Sequence, residues 1–439
     1  MMRSMSVAEV LEAPERPSRL LATLALVVPA MAALVIGLTH LTLRPLWTDE
    51  LITISRVENG FGRLISDTWD LPLLPYYATV YIWTLGGQFT SDAWLRGLSL
   101  AMTVAAVTTC AAGIRRLYGP WTALVGGSLL AIAPSVAYYA QEGRAYAVGL
   151  FLVCLSTFAL VRMVLVQPQR SIWLYSLSVG ASAVLMQSAL MVLVIHPVVL
   201  LALPGPVKAR LIRWGRAVAL ALPLVVLAAV LLTLHGSSVH GWLAGPDPGD
   251  LLKVPALITR WGPYGLILIS VALLTRQGLA WLAGGAAAVA AIWLLSVMGT
   301  SFWLEGTLTL LMPILAMACA ASLSGLRSST MLVWLCFIAV VTLPQTYGVV
   351  SRIEPTRYSR AVVDTVVDSD ARQVLVTEPG LTFGVAAAFR HYAPDVEVQI
   401  VEPAQSMPNR PYWIIGSNQS CAAGLPTQLT PTLTMTLCP

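Results

Sequence analysis

One apolar block, running from about Leu20 to Pro344, occupies most of this chain and limits what it can become. Within it, stretches of about 20 apolar residues, the length that crosses a bilayer core, alternate with connectors that carry the charge. A soluble protein has about 25% charged residues; these 439 residues have 11%, with 57% hydrophobic and a mean hydropathy of +0.76. A soluble enzyme, a secreted disulfide scaffold and a disordered protein are excluded. The pattern predicts an all-α polytopic membrane protein.

A hydropathy window of about 19 residues divides the block into about eleven spans. They fall near 20–41, 96–113, 119–137, 146–165, 171–187, 188–204, 217–234, 257–274, 279–298, 307–325 and 329–344. The net charge of +5 is no sign of a nucleic-acid partner, because the basic residues mark sidedness. Arg115, Arg116, Arg162, Arg170, Lys208, Arg210, Arg213, Arg216, Arg276 and Arg327 all fall in alternate loops that lack Asp and Glu. By the positive-inside rule these loops are cytoplasmic. The other loops hold Asp49, Glu50, Glu58, Asp67, Asp70, Asp92, Glu142, Asp247, Asp250 and Glu305. The expected organisation is a cytoplasmic tail (1–19), a membrane module (20–344) with a long first external loop (42–95), and an external domain (345–439). The location that follows is the cell (inner) membrane.

The external domain reads as a small α/β unit. Segments 373–377, 396–401 and 412–416 look like strands, with helical stretches near 358–368 and 380–392. Cys110, Cys154, Cys319 and Cys336 lie in spans; Cys421 and Cys438 lie outside, where a disulfide persists, and form the candidate pair. Asn418-Gln-Ser420 fits a glycosylation sequon. No phosphate-binding GxxxxGK[ST], no strand-linked GxGxxG, no HExxH and no CxxC occurs. The short cytoplasmic loops leave no room for a nucleotide-binding domain, which argues against an ATP-driven pump.

Two external loops carry the chemistry. The first opens with Trp47-Thr-Asp49-Glu50, read alone either as a solvated loop edge or as a general base with a neighbouring ligand. It continues through Asp70 and Pro72-Leu-Leu-Pro75-Tyr76-Tyr77 into an apolar stretch ending at Gly87. That stretch is too short to span and is expected along the outer interface, with Tyr76, Tyr77, Tyr81 and Trp83 as anchors. The second is Tyr139-Ala-Gln141-Glu142-Gly-Arg144-Ala-Tyr146, so short that Glu142 and Arg144 must sit at the membrane surface. They form either a local pair capping two helices or part of a site with Asp49.

Taken in order with Arg96-Gly-Leu-Ser99, these motifs resemble those of GT-C glycosyltransferases, and most nearly bacterial members of glycosyltransferase family 39, relatives of protein O-mannosyltransferases and of the lipid A aminoarabinose transferase. The likeness covers about residues 44–165. It implies an inverting transferase that moves a sugar, mannose or another hexose or pentose, from a polyprenyl-phosphate donor to a protein, lipid or glycan acceptor at the outer face. The family's catalytic base maps to Asp49, its neighbouring acid to Glu50 and its second-loop acid to Glu142. Arg144 and Arg96 would hold the lipid phosphate, with Asp70, Tyr76, Tyr77 and Tyr146 completing the substrate site. Two departures stand out: Pro72-Leu-Leu-Pro75 replaces the usual His-Pro-Pro, and Trp303-Leu-Glu305-Gly stands where an Arg-Tyr is common.

The chemistry fits those groups. Transfer passes through an oxocarbenium-like transition state; a carboxylate takes the acceptor proton, and cations offset charge on the departing phosphate. Arg144, Arg96, Lys253 or Arg260 can supply that charge, or a divalent metal, Mg²⁺ or Mn²⁺, held by Asp49 and Glu142. His40, His196, His235, His240 and His391 are scattered, and His196 reads as a packed polar residue. A transporter or flippase of a lipid-linked or anionic substrate is the competing class; it calls for charges inside several spans, whereas the acids gather at one face.

Overall fold

The computed structural model describes residues 18–66, 72–165, 168–202, 206–240, 245–299, 301–354, 357–369, 371, 373–377, 379–401, 411–416, 426–428 and 434–438. The polar tail up to residue 17, Asp70, the Asn418-Gln-Ser420 triplet and Cys421 lie outside the described residues. Cys438 is disulfide-bonded.

Every expected span coincides with helix. Among the described residues, seven helices are long and apolar enough to cross a membrane, or nine if each of two bent pairs is one span. The other two expected spans are Pro168–Leu185 and the shorter Gln187–Ala202. Helix ends follow local chemistry. Ser91 caps Asp92–Tyr118 by accepting from the Trp94 N–H; Asp92 lies in its first turn, Arg115 and Arg116 in its last. Charges so placed complement the helix dipole and keep acids and bases at opposite ends of the membrane.

Both bends have visible causes. Pro134 has no N–H to donate, and Ala133 before it is extended, so Pro120–Ala131 and Pro134–Ala140 meet at 64°. Arg260, with φ +57, and Trp261-Gly-Pro263 interrupt the second pair, which turns by 93° between Thr259 and Gly262. The last long helix does not end at Pro344 but continues to Ser351. A proline inside a membrane helix is tolerated where neighbours satisfy the freed carbonyl. The last long helix thus runs past the sequence boundary at 345, and the sheet-bearing C-terminal domain follows it.

That domain is a five-stranded sheet flanked by helices Ser359–Val367 and Pro379–Tyr392. Its strands are β1 (Gln373–Val376), β2 (Gln399–Val401), β3 (Tyr412–Gly416), β4 (Pro426–Gln428) and β5 (Thr434–Cys438), in the order β2-β1-β3-β5-β4. β1 runs parallel to β2 and β3, and β5 antiparallel to β3 and β4. The three segments read as strands are strands; the structure adds β4, only three residues long, and β5, whose Thr434-Met-Thr-Leu437 does alternate.

The first external loop folds into helices Thr48–Glu58, Phe61–Ser66 and Leu74–Trp83. At about 1.5 Å per residue, the 10-residue Leu74–Trp83 helix reaches half a bilayer and does not span. Its Tyr76 and Tyr77 are buried, so they face inward rather than anchoring at the interface; Ile82, 74% exposed, takes the outer face. Trp83 stacks on Trp94. One buried core joins this loop to the external domain, with Leu46, Leu51, Ile54 and Val57 sharing it with Val362, Val363, Val385 and Ala388. Polar contacts close the seam: the Leu46 N–H donates to the Tyr392 hydroxyl (2.8 Å), Ser359 donates to the Leu46 carbonyl, and His391 Nε2 meets Asp92 Oδ1 (2.9 Å).

Candidate active site

Asp49 and Glu50 occupy the first turn of Thr48–Glu58, beside the positive end of the helix dipole. Adjacent helical residues point to different sides, and the two carboxylates have opposite fates. Asp49 Oδ2 meets Arg144 Nη2 at 3.2 Å, with the Asp49 side chain 29% exposed. Glu50 is fully buried. It accepts from Arg96 Nε and Nη2 (both 2.9 Å), Arg357 Nη1 (3.0 Å) and the Gly143 N–H (2.8 Å). Burial alone would raise the Glu50 carboxyl, but Arg96, Arg357 and the Gly143 N–H together hold it down at about 2. A Cβ at Gly143 would overlap the Leu95 side chain, so glycine lets this N–H reach the carboxylate.

Glu142 follows the Pro134–Ala140 helix, and its carbonyl is fixed by Ser99. Its Oε1 accepts from Arg357 Nη2 (3.1 Å), while its buried Oε2 has no partner. Burial pushes this carboxyl up to about 7, against the pull of Arg357 and with the added push of Glu50. Arg357 thus bridges the two loops, and it also donates to the Pro45 carbonyl and the Tyr138 hydroxyl. The chain of charges continues outward. The Tyr138 hydroxyl donates to Glu354 Oε2 (2.7 Å), Arg260 Nη2 pairs with Glu354 Oε1 (2.8 Å), and Arg260 Nε pairs with Glu305 Oε1 (3.0 Å). Arg260 lies 3.4 Å over the Tyr138 ring, a cation–π contact.

These groups surround a cavity of about 670 Å³ lined by Trp47, Tyr138, Tyr139, Glu142, Tyr146 and Arg260, among others. Three of its lining residues each carry a buried polar atom without a partner among the described residues: Trp47 Nε1, Glu142 Oε2 and Arg260 Nη1. Buried polar groups are normally paired, so their clustering around one hollow marks a place for a polar ligand. Tyr146 lies within electrostatic reach of Asp49, Arg144, Glu142 and Glu305 and so connects the Asp49 pair to the cavity. Gly306 packs against the Tyr146 ring. Its neighbour Thr307 belongs to the wall of an apolar groove of about 540 Å³ lined by Met191, Leu232, Ile292 and Leu295 and edged by Gln187 and Ser188.

The sequence-derived residues divide accordingly. Asp49, Glu50, Glu142, Arg144 and Tyr146 come together, and Tyr76 is buried within electrostatic reach of Arg144. Arg96 is placed differently from a phosphate ligand: it is fully buried beneath Glu50, with Nη1 donating to the Leu41 and Arg44 carbonyls (both 2.8 Å). Glu50, saturated by five donors once the Trp47 N–H (3.3 Å) is counted, cannot take a proton from a substrate. Lys253 pairs with Asp250 on the exposed Pro248–Lys253 turn, outside the cluster. Arg357 and Glu354 were not singled out from sequence. Their one signal is a pair of charges, Glu354-Pro-Thr-Arg357, just after the last span of a chain poor in charge.

A divalent metal does not fit these donors. Among the described residues no group of three His, Cys, Asp or Glu side chains is placed to hold one. Arginines stand against each acid where a cation would sit.

No family model and no curated protein matches the sequence. Solved structures match the fold. ArnT from Cupriavidus metallidurans in the apo state aligns with a TM-score of 0.56 and 13% identity, covering 94% of this chain and 97% of that one. ArnT bound to undecaprenyl phosphate aligns over the same shares with a TM-score of 0.57 and 12% identity. The Archaeoglobus fulgidus oligosaccharyltransferase in the apo form gives 0.55 and 10% identity, over 91% of this chain and 70% of that one. At such identities the likeness is one of fold: the chain has the GT-C-type membrane architecture.

Proposed function

We propose that this protein is an inverting membrane glycosyltransferase that moves a sugar from a polyprenyl-phosphate donor to an acceptor hydroxyl at the outer face. The observation that carries the reading is one part-exposed carboxylate, Asp49, joined through Tyr146 to a polar cavity whose acids Glu142, Glu305 and Glu354 each pair with an arginine. Among Asp49, Glu50 and Glu142, only Asp49 is both partly exposed and held by a single arginine side chain. It is the group free to act as general base, a role worth about 10²–10⁴ in rate. Arg144, whose fork also reaches the Asp49 carbonyl (3.3 Å) and Thr53 (3.5 Å), is the nearest cation for a leaving phosphate.

The neighbouring apolar groove suits a polyprenyl chain, and its Thr307 edge adjoins the Tyr146 side of the cavity. ArnT, which shares the fold, has been captured with undecaprenyl phosphate. The sugar, and whether the acceptor is a protein, lipid or glycan, are matters for assay. Purified protein in lipid, offered a panel of polyprenyl-phosphate sugars, is expected to release polyprenyl phosphate and form a glycosylated product seen by mass spectrometry. Asp49→Asn is expected to stop it. Product formed at the wild-type rate by that variant would refute the assignment of the base.

A further inference from the structure

Among the described residues, the one buried carboxylate oxygen of the cavity lining without a partner is Glu142 Oε2, and its direction is fixed by a residue that follows the last long helix. Glu142 Oε1 is held by Arg357 Nη2, a residue of the segment that leads from the last helix into the external domain. The same guanidinium reaches Pro45 O (3.1 Å) and Glu50 Oε2 (3.0 Å) in the first loop and Tyr138 Oη (3.2 Å) in the second. Its side chain is 1% exposed. Only a planar fork serves four acceptors on two loops at once; a lysine ammonium, a point charge with three donors, does not. With Oε1 pinned, rotation about the carboxylate is stopped, and Oε2 stays a buried acceptor without a partner among the described residues, on a side chain that lines the cavity together with Trp47 and Arg260. The other charged or titratable groups facing Glu142 are Glu50, Arg44, Tyr138, Tyr139, Tyr146 and Tyr76.

We infer that Arg357 is a positioning residue of the active site, contributed by the external segment, that aims Glu142 Oε2 at the substrate. The inference rests on the transferase reading, but the contact it concerns can be tested without it. The competing role is a fastener that merely ties the external domain down. His391, which meets Asp92 on the same seam away from the cavity, serves as the control for fastening.

The test compares Arg357→Gln and Arg357→Lys, each alone and with Glu142→Gln, and His391→Ala, by sugar transfer and by thermal unfolding in lipid nanodiscs. Arg357→Gln is expected to lower kcat on the order of 10²-fold with KM within about threefold, the mark of an interaction used in the transition state. Arg357→Lys should recover about a tenth of wild-type kcat, and in the Glu142→Gln background Arg357→Gln should cost under about threefold more. His391→Ala should change kcat by less than about threefold. An equal loss in both Glu142 backgrounds overturns the inference, as does a His391→Ala defect matching that of Arg357→Gln. Should Arg357→Gln fail to fold, Arg357→Lys takes its place in the same cycle.

If the wild type transfers no sugar from any donor, the transferase reading fails and the inference is judged on unfolding alone. A double variant that melts no lower than Arg357→Gln supports the Arg357–Glu142 coupling. Strictly additive losses overturn it.

Discussion

Replacing Glu50 by Gln removes the negative centre of the buried network while keeping nearly the same shape. Arg96 and Arg357 would each lose the carboxylate they share, leaving two guanidinium groups in a site from which water is excluded. Breaking a buried pair by removing one partner costs about 3–5 kcal/mol. The acidity of the carboxyl gives a second route to the magnitude. Holding it at about 2 rather than 4.5 corresponds to about 3 kcal/mol, at about 1.4 kcal/mol per tenfold. The sign follows from linkage. A depressed carboxyl contributes stability that is fully present above pH 4.5 and is lost as pH falls through about 2. Thermal unfolding of purified protein at pH 7 should therefore show Glu50→Gln melting several degrees below wild type, with the gap closing on acidification. Glu58→Gln, an exposed acid on the same helix, should melt as wild type does. A Glu50→Gln protein that keeps the wild-type melting temperature would refute the reasoning.

Asp49→Asn should reduce transfer by about 10²–10⁴ while leaving the melting temperature unchanged, since a part-exposed ion pair adds at most about 1 kcal/mol. Glu142, pushed up to about 7, has the opposite pH signature to Glu50: its ionisation costs stability increasingly as pH rises from 4.5 to about 7. Wild-type melting temperature should decline across that window and Glu142→Gln should flatten the decline, measured by unfolding at closely spaced pH. Exhaustive chelation should leave the rate unchanged, because arginines face the acids that a metal would need; loss of activity restored by Mg²⁺ or Mn²⁺ would count against this. Arg144→Lys, which keeps the charge and loses the fork, should raise KM for the donor more than it lowers kcat.

The membrane module was legible because hydrocarbon imposes a strict length and polarity on each span. Glu142 and Arg144 stood out as ionisable groups in a connector too short to leave the membrane surface, and Asp49 as a carboxylate at the start of the long first loop. Arg96 misled: its sequence position is that of a substrate ligand, but whether its fork faces a cavity or Glu50 depends on packing across 46 residues of chain separation. Arg357 was illegible for the same reason at greater range, since its carboxylate partners precede it by 307 and 215 residues and no spacing rule joins them. The seam between loop and external domain likewise left no periodic trace. It is made by the inward residues of short helices whose outer faces are ordinary.

The reach of Arg357 back to Glu50 and Glu142 also sets an order of events during biosynthesis. Glu50 and Arg96 can meet once the second long helix is inserted, and Glu142 joins when the connector before Tyr146–Leu165 has formed. The guanidinium that joins them is translated only after the last long helix, and in the orientation expected from the positive-inside rule it must then be carried across the membrane with the domain behind it. A nascent chain therefore holds its donors and acceptors unmatched until export of the carboxyl-terminal segment is finished. Completion of the polar cavity reports that every span has been threaded in its proper sense: one helix inserted the wrong way would leave Arg357 on the opposite side of the bilayer from the carboxylates it serves.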